Sequence, residues 1–376
     1  MPAMFSATAV SDLAHFESDL TATYGAALAD LPVRALQFAR GAAQASGRGE
    51  AFERAVAVAG ILRAQGVKEI RVIEAGGKSG ESMDAYINPY TKASGVKVVR
   101  ENPNPFGKLR SLVQAGQNDI CLFELGSTGM EQAKALNLIE PLDWAAIAPD
   151  EMFPEAKDPM GFGWQYYSTL LAWREGVKAP KNWADFFNTK DFPGKRSMQD
   201  RPYGLVYALL ADGVPKDKLY PLDLDRAFKA MDRVKKDVSV WWSAGAQPPQ
   251  LLKDNEVQYA VSYSGRVAGQ PGIAYTWEEA VLDLAYMVVP KGAKPADKAA
   301  AMKLLHHFSK VENQAEAAKV ISYPGPSPKL AGLLPKDKLQ EFPTANREKQ
   351  IINNVKWWFD NAEMVEKRWQ AFKLSL

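Results

Sequence analysis

Ile70-Arg71-Val72-Ile73, Val96-Lys97-Val98-Val99 and Ile120-Cys121-Leu122-Phe123 are three short apolar runs, separated by helical patterns near Glu81 to Ser94 and Pro105 to Ala115. This alternation reads as βαβαβ, and parallel strands joined by helices require a sheet covered on both faces. The fold class expected is therefore α/β. Further along, a helical and strand-like series runs from about Tyr166 to Tyr263. A strongly apolar strand follows at Val281 to Val289, then helical patterns from Asp297 to about Ala318 and from Ile351 to Phe372. No internal repeat and no low-complexity linker interrupts the series. A chain of 376 residues exceeds what one hydrophobic core usually supports, so two domains are expected.

Residues 1–66 differ from this pattern. Leu13, Phe16, Leu20, Tyr24, Ala27 and Leu31 fall at helical spacing after the capping pair Ser11-Asp12, and Pro32 interrupts them. A second helical stretch, Glu50 to about Gln65, holds the weak apolar run Ala55 to Leu62. The segment reads as a helical N-terminal extension or as a degenerate targeting segment, since it contains only fragments of an export signal. Both readings stand at this point.

The net charge of +2 arises from 46 basic and 44 acidic residues spread along the chain. No basic face of the kind that neutralises phosphates is indicated, so nucleic acid is not an expected partner. Cys121, the single cysteine, sits in an apolar run as a small hydrophobe and permits no internal disulfide. The histidines are His15, His306 and His307, and the last two, adjacent on a helix, point about 100° apart. No metal and no cofactor is expected. No apolar run reaches the ~20 residues of a membrane span.

Ala75-Gly76-Gly77-Lys78-Ser79-Gly80 follows a strand and precedes a helix, where backbone N–H groups can cradle an anion. It falls short of the dinucleotide fingerprint, having Ala75 at the first glycine, and of the phosphate loop, having Val72 where glycine is needed. A tight turn over a ligand cleft is the commoner use of such a segment. Trp241-Trp242 and Tyr263 offer aromatic walls for an apolar or cationic ligand, against the usual role of aromatics in core packing. In a strand the two tryptophans face opposite sides, so one at most points into a given cleft. Asp283, alternating with Leu282 and Leu284 in an apolar strand, is costly to bury without a partner and is the leading binding candidate. Lys78, Arg201 and Arg266 are the alternative anion-binding set. Trp357-Trp358 in the last helical stretch reads as an anchor of that helix. No G-x-S-x-G motif, Cys/His pair or carboxylate pair supports catalysis, so the chain is not expected to be an enzyme.

The order of these segments from Lys68 onward resembles the periplasmic solute-binding proteins of ABC transporters, in particular the spermidine/putrescine-type branch. The resemblance runs over Val72 to Gly80, Tyr86 to Val98, Asp119-Ile120-Cys121-Leu122-Phe123, Phe192-Pro193-Gly194-Lys195-Arg196 and Ala208 to Val214. It continues through Val240-Trp241-Trp242, Gly245-Ala246-Gln247, Gln250-Leu251-Leu252, Ser264-Gly265-Arg266, Val289 to Ala293, Gly325-Pro326-Ser327-Pro328 and Trp357-Trp358 with Asp360-Asn361.

The resemblance implies a two-lobed type II periplasmic-binding fold whose lobes close over a ligand by a hinge. It assigns 67–162 with 265–315 to one lobe and 163–264 with 316–376 to the other. It further implies a periplasmic, monomeric protein that delivers a small amine-bearing, polyamine-like solute to a membrane permease. Carried over by position, Gly76, Gly77, Trp242, Gln247, Tyr263 and Asp283 are the cleft residues. Trp242 and Tyr263 would face the aliphatic or cationic part of the solute, and Asp283 would accept from its ammonium. The Gly76 and Gly77 N–H groups with Gln247 would hold a polar or anionic end. Polyamine-type relatives often carry an acidic residue two positions after Asp283 and an aromatic close by; here these positions are Ala285 and Met287. The departure removes a charge-assisted contact worth about 1.5–3 kcal/mol, which a monocationic or zwitterionic ligand tolerates. The alternatives are an anion or phosphonate binder on the same fold, using Lys78, Arg201 and Arg266, and an NAD-dependent oxidoreductase using the Ala75–Gly80 turn and Glu101.

Overall fold

A computed structural model of the chain describes residues 67–116 and 119–376, together with Gly47. The helices expected within residues 1–66 lie outside the described residues. Among the described residues eleven strands form the sheet: β1 (Glu69–Ile73), β2 (Lys97–Glu101), β3 (Ile120–Gly126), β4 (Ile139–Glu140), β5 (Lys157–Asp158), β6 (Gly161–Arg174), β7 (Arg196–Gln199), β8 (Val238–Trp242), β9 (Tyr259–Tyr263), β10 (Ile273–Pro290) and β11 (Ile351–Ile352). Their main order is β2-β1-β3-β10-β6-β9-β7-β8.

The three opening runs become parallel neighbours, with Val72 of β1 opposite Arg100 of β2 on one side and Leu122 of β3 on the other. Their connections are helical as the sequence predicts. The segment expected as one helix near Glu81 to Ser94 is two, Gly77–Ser82 and Asp84–Ser94. The second ends where Gly95 turns left-handed (φ 73°) and returns its N–H to Thr91 O, a conformation glycine adopts without a Cβ penalty. Phe106–Gln114 supplies the next crossover.

β6 and β10 are the structural centre. At 14 and 18 residues they exceed the usual strand, because each serves both halves of the molecule. The C-terminal half of β10 lies between β3 and the start of β6, with Ala285 opposite Gly126 and Gln165. Its N-terminal half pairs with the far end of β6, Ile273 opposite Arg174, and there β6 also pairs with β9, Thr169 opposite Tyr263. Beyond β9 the sheet continues in parallel through β7 to β8.

The apolar side chains divide accordingly. One buried cluster holds Ile73, Phe123, Trp164, Leu284 and Phe308, together with Cys121. A second holds Trp183, Tyr207, Met231, Trp242 and Trp369. A smaller third, around Leu170, Val257, Val267 and Trp277, backs the middle of the sheet. Helix Leu224–Val234 shows how sequence places such residues: Asp223 accepts from Arg226 N at 3.0 Å, and Leu224, Ala227, Ala230, Met231 and Val234 form its buried stripe.

Near the C-terminus the structure departs from the expected pair of long helices. The first breaks at Lys310, whose extended backbone (φ −65°, ψ 120°) separates Pro295–Ser309 from Val311–Ala318. The second begins as β11, parallel to Val281 and Leu282 of β10, and becomes helical only at Val355–Asp360 and Ala362–Lys373.

Gly163 marks the tightest backbone approach in β6. A Cβ there would stand 2.8 Å from Leu284 Cδ2, which can turn aside, and 2.8 Å from Ala156 Cα, which cannot without moving its backbone. Gly163→Ala should destabilise the fold by about 1–3 kcal/mol, read as a lower thermal midpoint; an unchanged midpoint would show that the Pro154–Ala156 turn can move aside.

Candidate functional site

Between the two halves lies a cavity of about 340 Å³. The carboxyl ends of β1, β3, β7 and β9 open onto it, and the crossing strands form its floor. Side-chain alternation determines which residues reach it: Gln165, Tyr167 and Thr169 on β6 and Val281, Asp283 and Ala285 on β10, each set at i, i+2 and i+4 on one face. From the first half come Asn104, Phe106, Glu124 and Thr128; from the second come Gln199, Arg201, Tyr203 and Tyr207. Tyr263 and Arg266 follow from β9 and the turn after it, and Tyr323, Asn353 and Trp358 arrive from the C-terminal segment.

The structure brings four of the nine sequence-nominated residues together on the cavity wall: Tyr263, Asp283, Arg201 and Arg266. Asp283 accepts from Leu284 N at 2.8 Å, Tyr167 Oη at 3.1 Å, Asn353 Nδ2 at 3.2 Å and Ser127 Oγ. Burial pushes its carboxyl above the ordinary range, while these donors pull the other way. Tyr263 receives a hydrogen bond from Gln199 Nε2 at 2.7 Å and stands edge-on to Tyr167, ring centroids 5.7 Å apart. The exposed Arg201 side chain makes no ion pair among the described residues. Arg266 donates from Nη2 to Gly76 O at 3.1 Å, and its buried Nε has no hydrogen-bond partner among the described residues.

The other five stand back from the cavity wall. Trp242 is buried at 1% exposure in the second cluster, its Nε1 bonded to Val261 O at 3.0 Å, and its ring supports Tyr263 edge-on at 5.4 Å. Gln247 opens helix Gln247–Lys253, and its Oε1 accepts from the Ser243 and Ala244 N–H groups, each at 3.0 Å. Lys78 pairs with Glu81 at 2.6 Å on the exterior. Gly76 and Gly77 adopt left-handed φ values of 79° and 60°, and a Cβ on Gly77 would meet Arg266 Nη1 at 2.5 Å. They form the turn over which the Arg266 side chain lies. The N–H groups of Ala75 and Gly76 are already used, by Glu124 Oε2 at 2.7 Å and by Glu74. Glu101, the ribose candidate, pairs with Lys108 at 3.1 Å and Arg71 at 3.4 Å.

Sequence reasoning missed Glu124, Tyr167 and Asn353. No alternation in Gln165-Tyr166-Tyr167-Ser168-Thr169 singles out Tyr167; for Glu124 the available signal was the carboxylate interrupting the apolar run of β3. Glu124 is 5% exposed. Burial and the nearby Glu74 push its carboxyl up to about 7, against the Ala75 N–H bond and the Arg266 charge.

Residues 85–345 match the family model of the bacterial extracellular solute-binding protein. The γ-aminobutyric acid-binding protein of Pseudomonas aeruginosa PAO1 is 32% identical over 335 residues, covering 84% of this chain and 94% of that protein. An ABC transporter substrate-binding protein from Bradyrhizobium japonicum USDA 110 superposes with a TM-score of 0.75 at 30% identity, over 81% of this chain and 99% of its own. The Atu4243 GABA receptor does so with a TM-score of 0.73 at 31% identity, over 81% and 97%. These matches span both halves of the sheet and are to solute-binding proteins rather than enzymes, which sets aside the oxidoreductase alternative. The chain belongs to the bacterial extracellular solute-binding protein family, the substrate-binding components of ABC importers.

Proposed function

We propose that this chain binds a small amino acid whose ammonium and carboxylate stand apart, of the γ-aminobutyric acid kind, and delivers it to a membrane permease. The observation that carries this reading is the charge content of the cavity wall: two carboxyl groups, Glu124 and Asp283, with two guanidinium groups, Arg201 and Arg266. A zwitterion meets both signs. A polyamine, with ammonium groups throughout, would face two arginines of its own sign, and Ala285 and Met287 supply no further acid. A phosphonate would meet the buried carboxyl groups. The relatives named for γ-aminobutyric acid support the same choice.

Arg201 is assigned to the ligand carboxylate, since a guanidinium fork matches that group and this one has no internal ion pair among the described residues. Tyr167, Tyr203 and Tyr263 are assigned to the methylene chain, with Trp242 behind Tyr263 as support. Gln247 and the Gly76–Gly77 turn act by shaping the cleft rather than by contact. For the lobe boundaries we propose the middles of the crossing strands, between Tyr166 and Leu170 on β6 and between Ala280 and Leu282 on β10, where the buried clusters change. This shifts the divisions expected at 162/163 and 264/265 and keeps the later one near Ala317. The protein acts as a monomer in the periplasm, closing by rotation about these strands. No helix among the described residues is long and apolar enough to cross a membrane.

Titration calorimetry on the full chain tests the reading. γ-Aminobutyric acid should bind at least tenfold more tightly than putrescine, spermidine or a simple alkylphosphonate, a difference of about 1.4 kcal/mol. Tighter binding of putrescine or the phosphonate would overturn it in favour of that ligand class.

A further inference from the structure

Given a ligand that carries an ammonium, the hydrogen bonding of the two cavity carboxyl groups separates their roles. A carboxylate offers about four acceptor positions. At Asp283 these are met by the protein itself: Leu284 N and Ser127 Oγ on Oδ1, Tyr167 Oη and Asn353 Nδ2 on Oδ2. An ammonium arriving there must displace one of them. Glu124 accepts from Ala75 N at 2.7 Å and stands without an ion pair among the described residues. Arg266, the nearby cation, directs Nη2 at Gly76 O instead. A buried acid of this kind is costly to ionise until a cation arrives, and its place on the cavity wall lets a ligand supply that cation.

We propose that Glu124 receives the ligand ammonium, and that Asp283 is a positioning residue that holds Tyr167, Ser127 and Asn353 in place. This assignment rests on the zwitterion reading above and fixes the direction of the ligand, ammonium toward β3 and carboxylate toward Arg201. The titratable and charged groups around Glu124 are Glu74 at the end of β1, Arg266 after β9 and Tyr323 from the C-terminal segment. With its carboxyl near 7, Glu124 is mostly protonated at pH 6 and mostly ionised at pH 8, so ammonium binding strengthens across that interval.

The experiment compares γ-aminobutyric acid with butyrate, which lacks the ammonium, on wild type, Glu124→Gln and Asp283→Asn. Glu124→Gln keeps an acceptor for Ala75 N. It should weaken γ-aminobutyric acid roughly 20-fold or more while changing butyrate less than about threefold, because only the ammonium end of the ligand loses a charge-assisted hydrogen bond. Asp283→Asn should weaken both ligands by similar factors. Wild-type affinity for γ-aminobutyric acid should rise from pH 6 to pH 8, and this rise should vanish in Glu124→Gln. Preservation of the ratio between the ligands in Glu124→Gln, its collapse in Asp283→Asn alone, or a flat wild-type pH profile would each overturn the assignment. If wild type binds no amine at all, the zwitterion reading itself fails, and the absence of any wild-type signal distinguishes that result from the others.

Discussion

Arg201→Ala should weaken γ-aminobutyric acid binding about a hundredfold while leaving the thermal midpoint within about 2 °C of wild type. The affinity figure follows from a desolvated, charge-assisted contact worth about 1.5–3 kcal/mol, at the upper end when the guanidinium meets a carboxylate with both arms. The small stability effect follows from the side chain's exposure and its lack of an ion pair among the described residues, since its removal breaks nothing in the unliganded fold. Arg201→Lys keeps the charge without the fork and should lose about tenfold. Calorimetry and a melting curve on the same preparation give both quantities. An unchanged affinity would move the ligand carboxylate to Arg266, whose buried Nε has no partner among the described residues. A joint fall in affinity and midpoint would make Arg201 a structural residue.

The reach of the sequence differed between fold and site for a physical reason. β1, β2 and β3 were legible because each is a short run flanked by turns, and their parallel pairing follows from the helices between them. The long strands were harder. Of β10 only the stretch from Val281 was expected, because the register shifts between Thr276 and Val281, where Glu279 has a φ of 56°, and that bulge breaks the two-residue period. The length of β6 was hidden for a related reason: nearly all of Gly161–Ala172 is buried, so no polar alternation marks it.

Local pattern also decided which cleft residues could be found. Asp283 was legible as an isolated acid in an apolar strand, and Tyr263 as the end of one. Trp242 carried the same aromatic signal, but the second hydrophobic cluster takes its ring, and sequence does not say which face of a strand meets a core. Asn353 was beyond reach. It meets Asp283 only because β11 returns beside β10, bringing together residues 70 positions apart.

The same segment that ends in Arg201 begins with the opposite kind of arginine. Arg196, at the start of β7, is 0% exposed. Its Nε donates to Phe186 O at 2.8 Å, its Nη2 to Phe192 O at 2.6 Å and its Nη1 to Gly194 O, while Tyr259 lies 5.0 Å away under the guanidinium. Burial pulls its pKa down, with Asp237 and Tyr259 opposing. Carbonyl oxygens and a ring face therefore replace a counter-ion.

Arg196→Ala should lower stability by about 3–5 kcal/mol, because it leaves buried acceptors unpaired and a side-chain-sized void. The thermal midpoint should fall by roughly 10 °C. Arg196→Met restores most of the volume but none of the donors, so it should recover only part of the loss. Full recovery by Met would show that packing alone matters here. Below the melting range both variants should bind ligand within about threefold of wild type, since Arg196 does not touch the cavity and β9 still flanks β7. Arg196 and Arg201 thus predict opposite signatures from one short segment: one loses the fold and keeps the ligand, the other loses the ligand and keeps the fold. A pair of variants that moved together in both quantities would mean that the β7 end of the cleft is held by the ligand rather than by the lobe.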